Sequence, residues 1–176
     1  MDNDLFAYID RLALMAFFTG YPIIYALVFF IAGKRIKAPG SLGNWLVKLL
    51  PYAYALNATL YLGMLIRNMY PDYSISNITE QLHYAFLRIF GLCALLFWIP
   101  LFSRKPIYSL LHSLLFFFFL LKDLVLQMTS GEGKDMIKND MKIYTDSILL
   151  NLSTFAFIVS AHILFRWITR KKRRSI

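Results

Sequence analysis

The chain has 176 residues, with 19 Lys and Arg against 10 Asp and Glu, and it is 59% hydrophobic but only 16% charged. A soluble domain is about 45–50% apolar and about 25% charged, so this composition, with a mean hydropathy of +0.55, excludes a water-soluble globule. The net charge of +9 would suit nucleic acid, but it is concentrated in short segments beside apolar runs, which excludes that partner and points to a lipid surface.

Five runs approach or exceed the roughly 20 apolar residues that cross about 30 Å of hydrocarbon. They are Leu12 to Gly33, Asn44 to Ile66, Leu82 to Phe102, Ile107 to Met128 and Ser147 to Ile168. Every backbone N–H and C=O must be satisfied within lipid, so such runs are helices. The expected fold is all-α: a polytopic transmembrane bundle of five spans forming one domain over residues 1–176.

The segment before the first span, Met1 to Arg11, holds three Asp and one Arg. A signal peptide has a basic start instead, so the first span reads as a retained helix with a short translocated acidic tail. Thr19, Gly20, Tyr21 and Pro22 near its centre predict a kink, because proline removes a hydrogen bond. Lys34, Arg35 and Lys37 follow it. In the second span Lys48 snorkels to the inner surface, Trp45 joins an aromatic belt, and Tyr54, Asn57 and Tyr61 form a packing stripe, with Pro51 a second point of bending. The following outer loop carries Asn77-Ile78-Thr79-Glu80, which resembles a capping box. Asn77-Ile78-Thr79 is also a glycosylation sequon, relevant only in a eukaryotic secretory pathway.

The third span contains Arg88 and the single cysteine, Cys93, with His83 at its outer edge. A lone thiol in hydrocarbon is read as inert packing rather than chemistry. Pro100 and Pro106 bracket Arg104 and Lys105, making the third and fourth spans an antiparallel hairpin. The fourth span carries His112, Lys122 and Asp123. The outer loop Thr129 to Asp146 is expected to hold a short interfacial helix around Met136, Ile137, Met141 and Ile143. The fifth span presents Ser147, Asn151, Thr154 and His162 within a sector of about 80°, then Arg166, Trp167 and the basic run Arg170, Lys171, Lys172, Arg173, Arg174.

Inner loops carry the Lys and Arg excess. Here the basic clusters follow the first, third and fifth spans, while Asp2, Asp4, Asp10, Asp72, Glu80, Glu132, Asp135, Asp140 and Asp146 fall on the other side. The expected orientation is N-terminus outside and C-terminus cytoplasmic. A bacterial inner membrane fits the short, minimal-looped chain, although an endoplasmic reticulum protein would show the same charge pattern.

Intramembrane ionisable groups cost about 2.5–3.5 kcal/mol each on insertion scales and are candidate functional residues. Arg88 and Asp123 lie at a matched depth of about 8–9 Å from the outer boundary, suited to an ion pair. The alternative is an outward-facing polar cavity completed by Lys122, Asp146 and Asn151. His112 and His162 lie at a matched depth of about 8–9 Å from the inner boundary, which would suit axial ligation of a b-type haem from facing helices. A polar stripe of this composition is more often an interhelical hydrogen-bonding surface, and no carboxylate stands near that level to complete a metal site. Lys171, Lys172, Arg173 and Arg174 form a lipid-facing anchor, each worth about 1 kcal/mol near an anionic surface.

The chain has no G-x-S-x-G, H-E-x-x-H, C-x-x-C, Walker or G-x-G-x-x-G motif. The leading expectation is therefore a non-enzymatic integral membrane protein without a cofactor, serving as an accessory or scaffold subunit that meets other membrane subunits or further copies of itself. Haem-dependent electron transfer through His112 and His162 is the second reading. Transport through an outer polar cavity is the third.

Overall fold

The computed structural model describes residues 14–32, 41–68, 70, 85–130 and 134–174, with the side chains at 85, 123, 127, 130, 134–140 and 172–174 outside the description. All of its secondary structure is helical, with no strand among the described residues. Four helices are long and apolar enough to cross a membrane: Leu14–Ala32, Leu42–Asn68, Ile107–Leu126 and Met141–Lys171. Phe86–Trp98 is a shorter apolar helix.

The first helix, α1, covers Leu14–Ala32 and is broken by a turn at Thr19 and Gly20. The Thr19 hydroxyl donates to the Met15 carbonyl at 2.7 Å. The helix resumes over Tyr21–Ala32, where Pro22 has no N–H to offer the preceding turn. The kink expected from Gly20 and Pro22 thus takes the form of a local turn.

Helix α2 covers Leu42–Asn68, 27 residues with Pro51 inside, and is about 40 Å long. Ser41 caps it: its Oγ accepts from the Asn44 N–H at 3.2 Å, satisfying one of the donors every helix start leaves unpaired.

The third apolar run departs from a single straight helix. Helix α3 spans only Ala85–Leu92, then the chain tightens into a 3-10 helix over Cys93–Trp98. Ile99 is extended, with φ −78° and ψ 127°, because a following proline sterically disfavours the helical conformation. Pro100 then opens a four-residue helix α4, Pro100–Ser103. Nothing in the structure explains the 3-10 winding itself. Cys93 lies on an exposed face of this segment.

Helix α5 covers Ile107–Ser130 and α6 covers Lys134–Arg174, 41 residues. The expected outer loop Thr129 to Asp146 is thereby shortened, because Met136 to Asp146 form the opening turns of α6 rather than a separate interfacial helix. No Gly or Pro occurs between Lys134 and Arg174, so nothing in the sequence interrupts the hydrogen-bond ladder. The capping-box segment Asn77 to Glu80 and His83 lie outside the described residues.

The core gathers where α1, α2, the 3-10 segment and α5 meet. Phe18, Tyr54, Tyr61, Ala94 and Phe116 are buried together. Phe18 stacks on Phe116 with ring centroids 4.9 Å apart and meets Tyr54 and Tyr61 edge-on, geometries that add to area burial. The outer surface is the reverse of a soluble protein's. Phe30, Phe118, Phe157, Phe165 and Trp167 are exposed, an apolar girdle suited to lipid.

Candidate functional site

Helix α1 approaches α6 at Gly20. A Cβ placed there would meet Ile148 N and Ser147 C at 2.5 Å, so only glycine lets the two backbones come this close. The Gly20 N–H, freed by the turn, donates to Ser147 Oγ at 2.8 Å. One helical turn further, the Asn151 amide donates to the Phe17 carbonyl at 3.0 Å and to the Ser147 carbonyl at 2.8 Å. Asn151 Oδ1 accepts from Asn57 Nδ2 of α2. Ser147, Asn151 and Asn57 are almost fully buried. Three helices are therefore tied at one depth by a connected polar cluster. The spacing of Ser147, Asn151 and Thr154 announced its α6 face, and the Tyr54, Asn57, Tyr61 stripe its α2 face.

A second cluster surrounds His112. The imidazole stacks on Phe90, centroids 4.1 Å apart and planes within 5°. Its Nε2 lies 2.8 Å from the Phe90 carbonyl, which only accepts, so Nε2 carries the proton. Its Nδ1 then accepts from the Tyr54 hydroxyl at 2.7 Å. The Tyr21 hydroxyl similarly pairs with Ser109 Oγ at 2.7 Å. His162 has different neighbours: its ring packs against Trp45 at 5.5 Å, and its Nε2 is buried without a hydrogen-bond partner. Both nitrogens of His112 are engaged, so an axial haem bond would require release of Tyr54 or of the Phe90 carbonyl.

The residues expected around an outer cavity differ in exposure. Arg88 is buried, Lys122 and Asp146 are exposed, and Asn151 is turned into the three-helix cluster. The side chain of Asp123, the proposed partner of Arg88, lies outside the described residues. The crevice lined by Leu14, Met15, Leu87, Phe116 and Phe119 holds about 10 Å³, at the lower limit for one water molecule. Among the described residues, no three His, Cys, Asp or Glu side chains cluster as metal ligands.

A larger opening lies where the start of α2 meets the end of α6. This cleft of about 420 Å³ is lined by Leu42, Trp45, Ile163, Arg166, Trp167 and Arg170. The Arg166 guanidinium lies 5.8 Å from the centre of the Trp45 ring, within cation–π range. Trp45 Nε1 is buried with no hydrogen-bond partner. Lys171 lies outside the cleft lining, its Nζ 5.6 Å from the Trp167 ring, and the side chains of Lys172, Arg173 and Arg174 lie outside the described residues. Reading the residues singly as snorkelling cations and belt tryptophans missed the cleft. The signal was the spacing Ile163, Arg166, Trp167, Arg170, which recurs on one helical face.

Compared with protein-family models, curated proteins and solved structures, the chain matches none.

Proposed function

We propose that this is a non-enzymatic, five-span integral membrane protein of a bacterial inner membrane, acting as an accessory or scaffold subunit within a larger membrane assembly. The observation that carries this reading is the use made of the polar side chains of the apolar helices. Asn57, Asn151, Ser147, Tyr54, His112, Tyr21 and Ser109 bond to neighbouring helices or to their own backbone, the role expected of interhelical glue in lipid. Helix α6 supplies the contact surface, because little of its apolar span is covered by the rest of the chain.

Five crossings rest on the four long helices together with Ala85–Trp98. At about 1.5 Å per α residue and about 2.0 Å per 3-10 residue, that segment rises roughly 24 Å before the short helix α4 extends it. The charge pattern supports an outside N-terminus and a cytoplasmic C-terminus. The topology test starts from a Cys93→Ser background, with Lys37→Cys or Ser175→Cys exposed to a membrane-impermeant maleimide. Labelling only after the inner face is opened is expected; labelling of intact cells at either site overturns the orientation.

The subunit role is tested by mild-detergent purification from native membranes after brief crosslinking. Recovery of a defined membrane partner is expected. A homo-oligomer would replace the partner with further copies of the chain, and a lone monomer with no crosslinked product would overturn the reading.

A further inference from the structure

The cleft between the start of α2 and the end of α6 has a chemistry that its surroundings do not satisfy. Arg166 and Arg170 bring two permanent positive charges to it, and no carboxylate is among its lining residues. Trp45 lines it and carries a buried N–H with no acceptor, and the ring packed on Trp45, His162, has a second unpartnered buried nitrogen. An unmet buried polar group costs free energy comparable to a lost hydrogen bond. Guanidinium and indole groups only donate, so the missing partner is a group rich in acceptors. The first turn of α2, which supplies Leu42 and Trp45, adds the positive end of a helix dipole. The remaining wall, Leu42, Ile163 and the Trp167 ring, is apolar. A polar acceptor on an apolar stem fits both halves. The cleft also sits where the apolar spans of α2 and α6 begin and end, the level at which lipid phosphates lie.

We propose that this cleft binds one anionic phospholipid, its phosphate held by Arg166, Arg170 and the Trp45 N–H and its acyl chain lying against Leu42, Ile163 and Trp167. The site differs from the diffuse attraction of the basic tail, which draws any negative surface without geometric preference. Here Arg166 and Arg170 both line one cleft, and planar guanidinium forks recognise phosphate bidentately.

The test is native mass spectrometry of the full chain in neutral detergent, titrated with phosphatidylglycerol, with phosphatidylcholine, with inorganic phosphate and with an acidic peptide. One phosphatidylglycerol should be retained about tenfold more tightly than phosphatidylcholine. Arg166→Gln with Arg170→Gln should abolish the preference, and Trp45→Phe, which keeps a ring but deletes the N–H, should weaken it several-fold. Lys171→Gln with Lys172→Gln should leave the preference in place. Trp45, Arg166, Arg170 and Lys171 are at least partly exposed, and circular dichroism melts confirm that each variant folds. The proposal is overturned if the Lys pair matters as much as the Arg pair, which would make the attraction diffuse. It is equally overturned if inorganic phosphate competes at matched concentration, or if the acidic peptide and not the lipid is retained.

Discussion

The two halves of α6 put the same pattern to opposite uses. Ser147, Asn151 and Thr154, at helical spacing, are buried; Ser147 and Asn151 bond to α1 and α2, and Thr154 bonds to its own helix. From His162 to Arg170, residues at similar spacing stand beside an open cleft, with a buried His162 nitrogen lacking a partner. What separates the halves is the neighbour. Gly20 lets α1 come within backbone contact of the first half, whereas in the second half the His162 ring packs on Trp45 of the opening turn of α2. Polar spacing on a membrane helix therefore announces a face, and the packing distance decides whether that face is glue or a binding surface.

The sharpest way to break this contrast is at Gly20. Gly20→Val would drive side-chain carbons into the Ser147 and Ile148 backbone, and overpacking of this kind costs about 3 kcal/mol. Reversible unfolding in mixed micelles, followed by circular dichroism, should register that loss; an unchanged midpoint would mean that α1 and α6 do not pack as closely as described.

Asn151→Leu should follow at about 2 kcal/mol, because it leaves the Asn57 amide and the Phe17 carbonyl without their partner. The cycle with Asn57→Leu should yield a coupling of about 0.6–1.7 kcal/mol. Additivity within error would show that the two amides do not bond. Tyr54→Phe deletes the hydroxyl donated to His112 Nδ1 and should cost about 1 kcal/mol. In the second half, Arg166→Gln in lipid-free detergent should change stability by no more than about 0.5 kcal/mol, since the residue is exposed. A loss of 2 kcal/mol or more would place Arg166 in the structural class of Asn151.

Much of this was legible in the chain. Apolar run length located the long helices, because hydrocarbon thickness is a hard constraint. The spacing of Ser147, Asn151 and Thr154 located the buried stripe, because helical periodicity is local. What remained hidden was non-local. Matching depth paired His112 with His162, yet depth says nothing about azimuth, and in the structure Phe90 and Tyr54 occupy both nitrogens of His112. Gly20 and Pro22 announced a break in α1 but not that α6 would lie against it. Trp45 and Arg166, 121 positions apart in the chain, meet only because α2 and α6 cross. The 3-10 winding of Cys93–Trp98 left no mark in residue types that suit an α-helix equally well.

Helix α6, 41 residues with no break, extends about 60 Å, roughly twice the hydrocarbon thickness. It is a shaft rather than a span. Held near mid-length by Gly20 and Asn57, it has the geometry of a lever on a fulcrum. A load applied at its Lys134 end would swing its Arg174 end in the reverse sense.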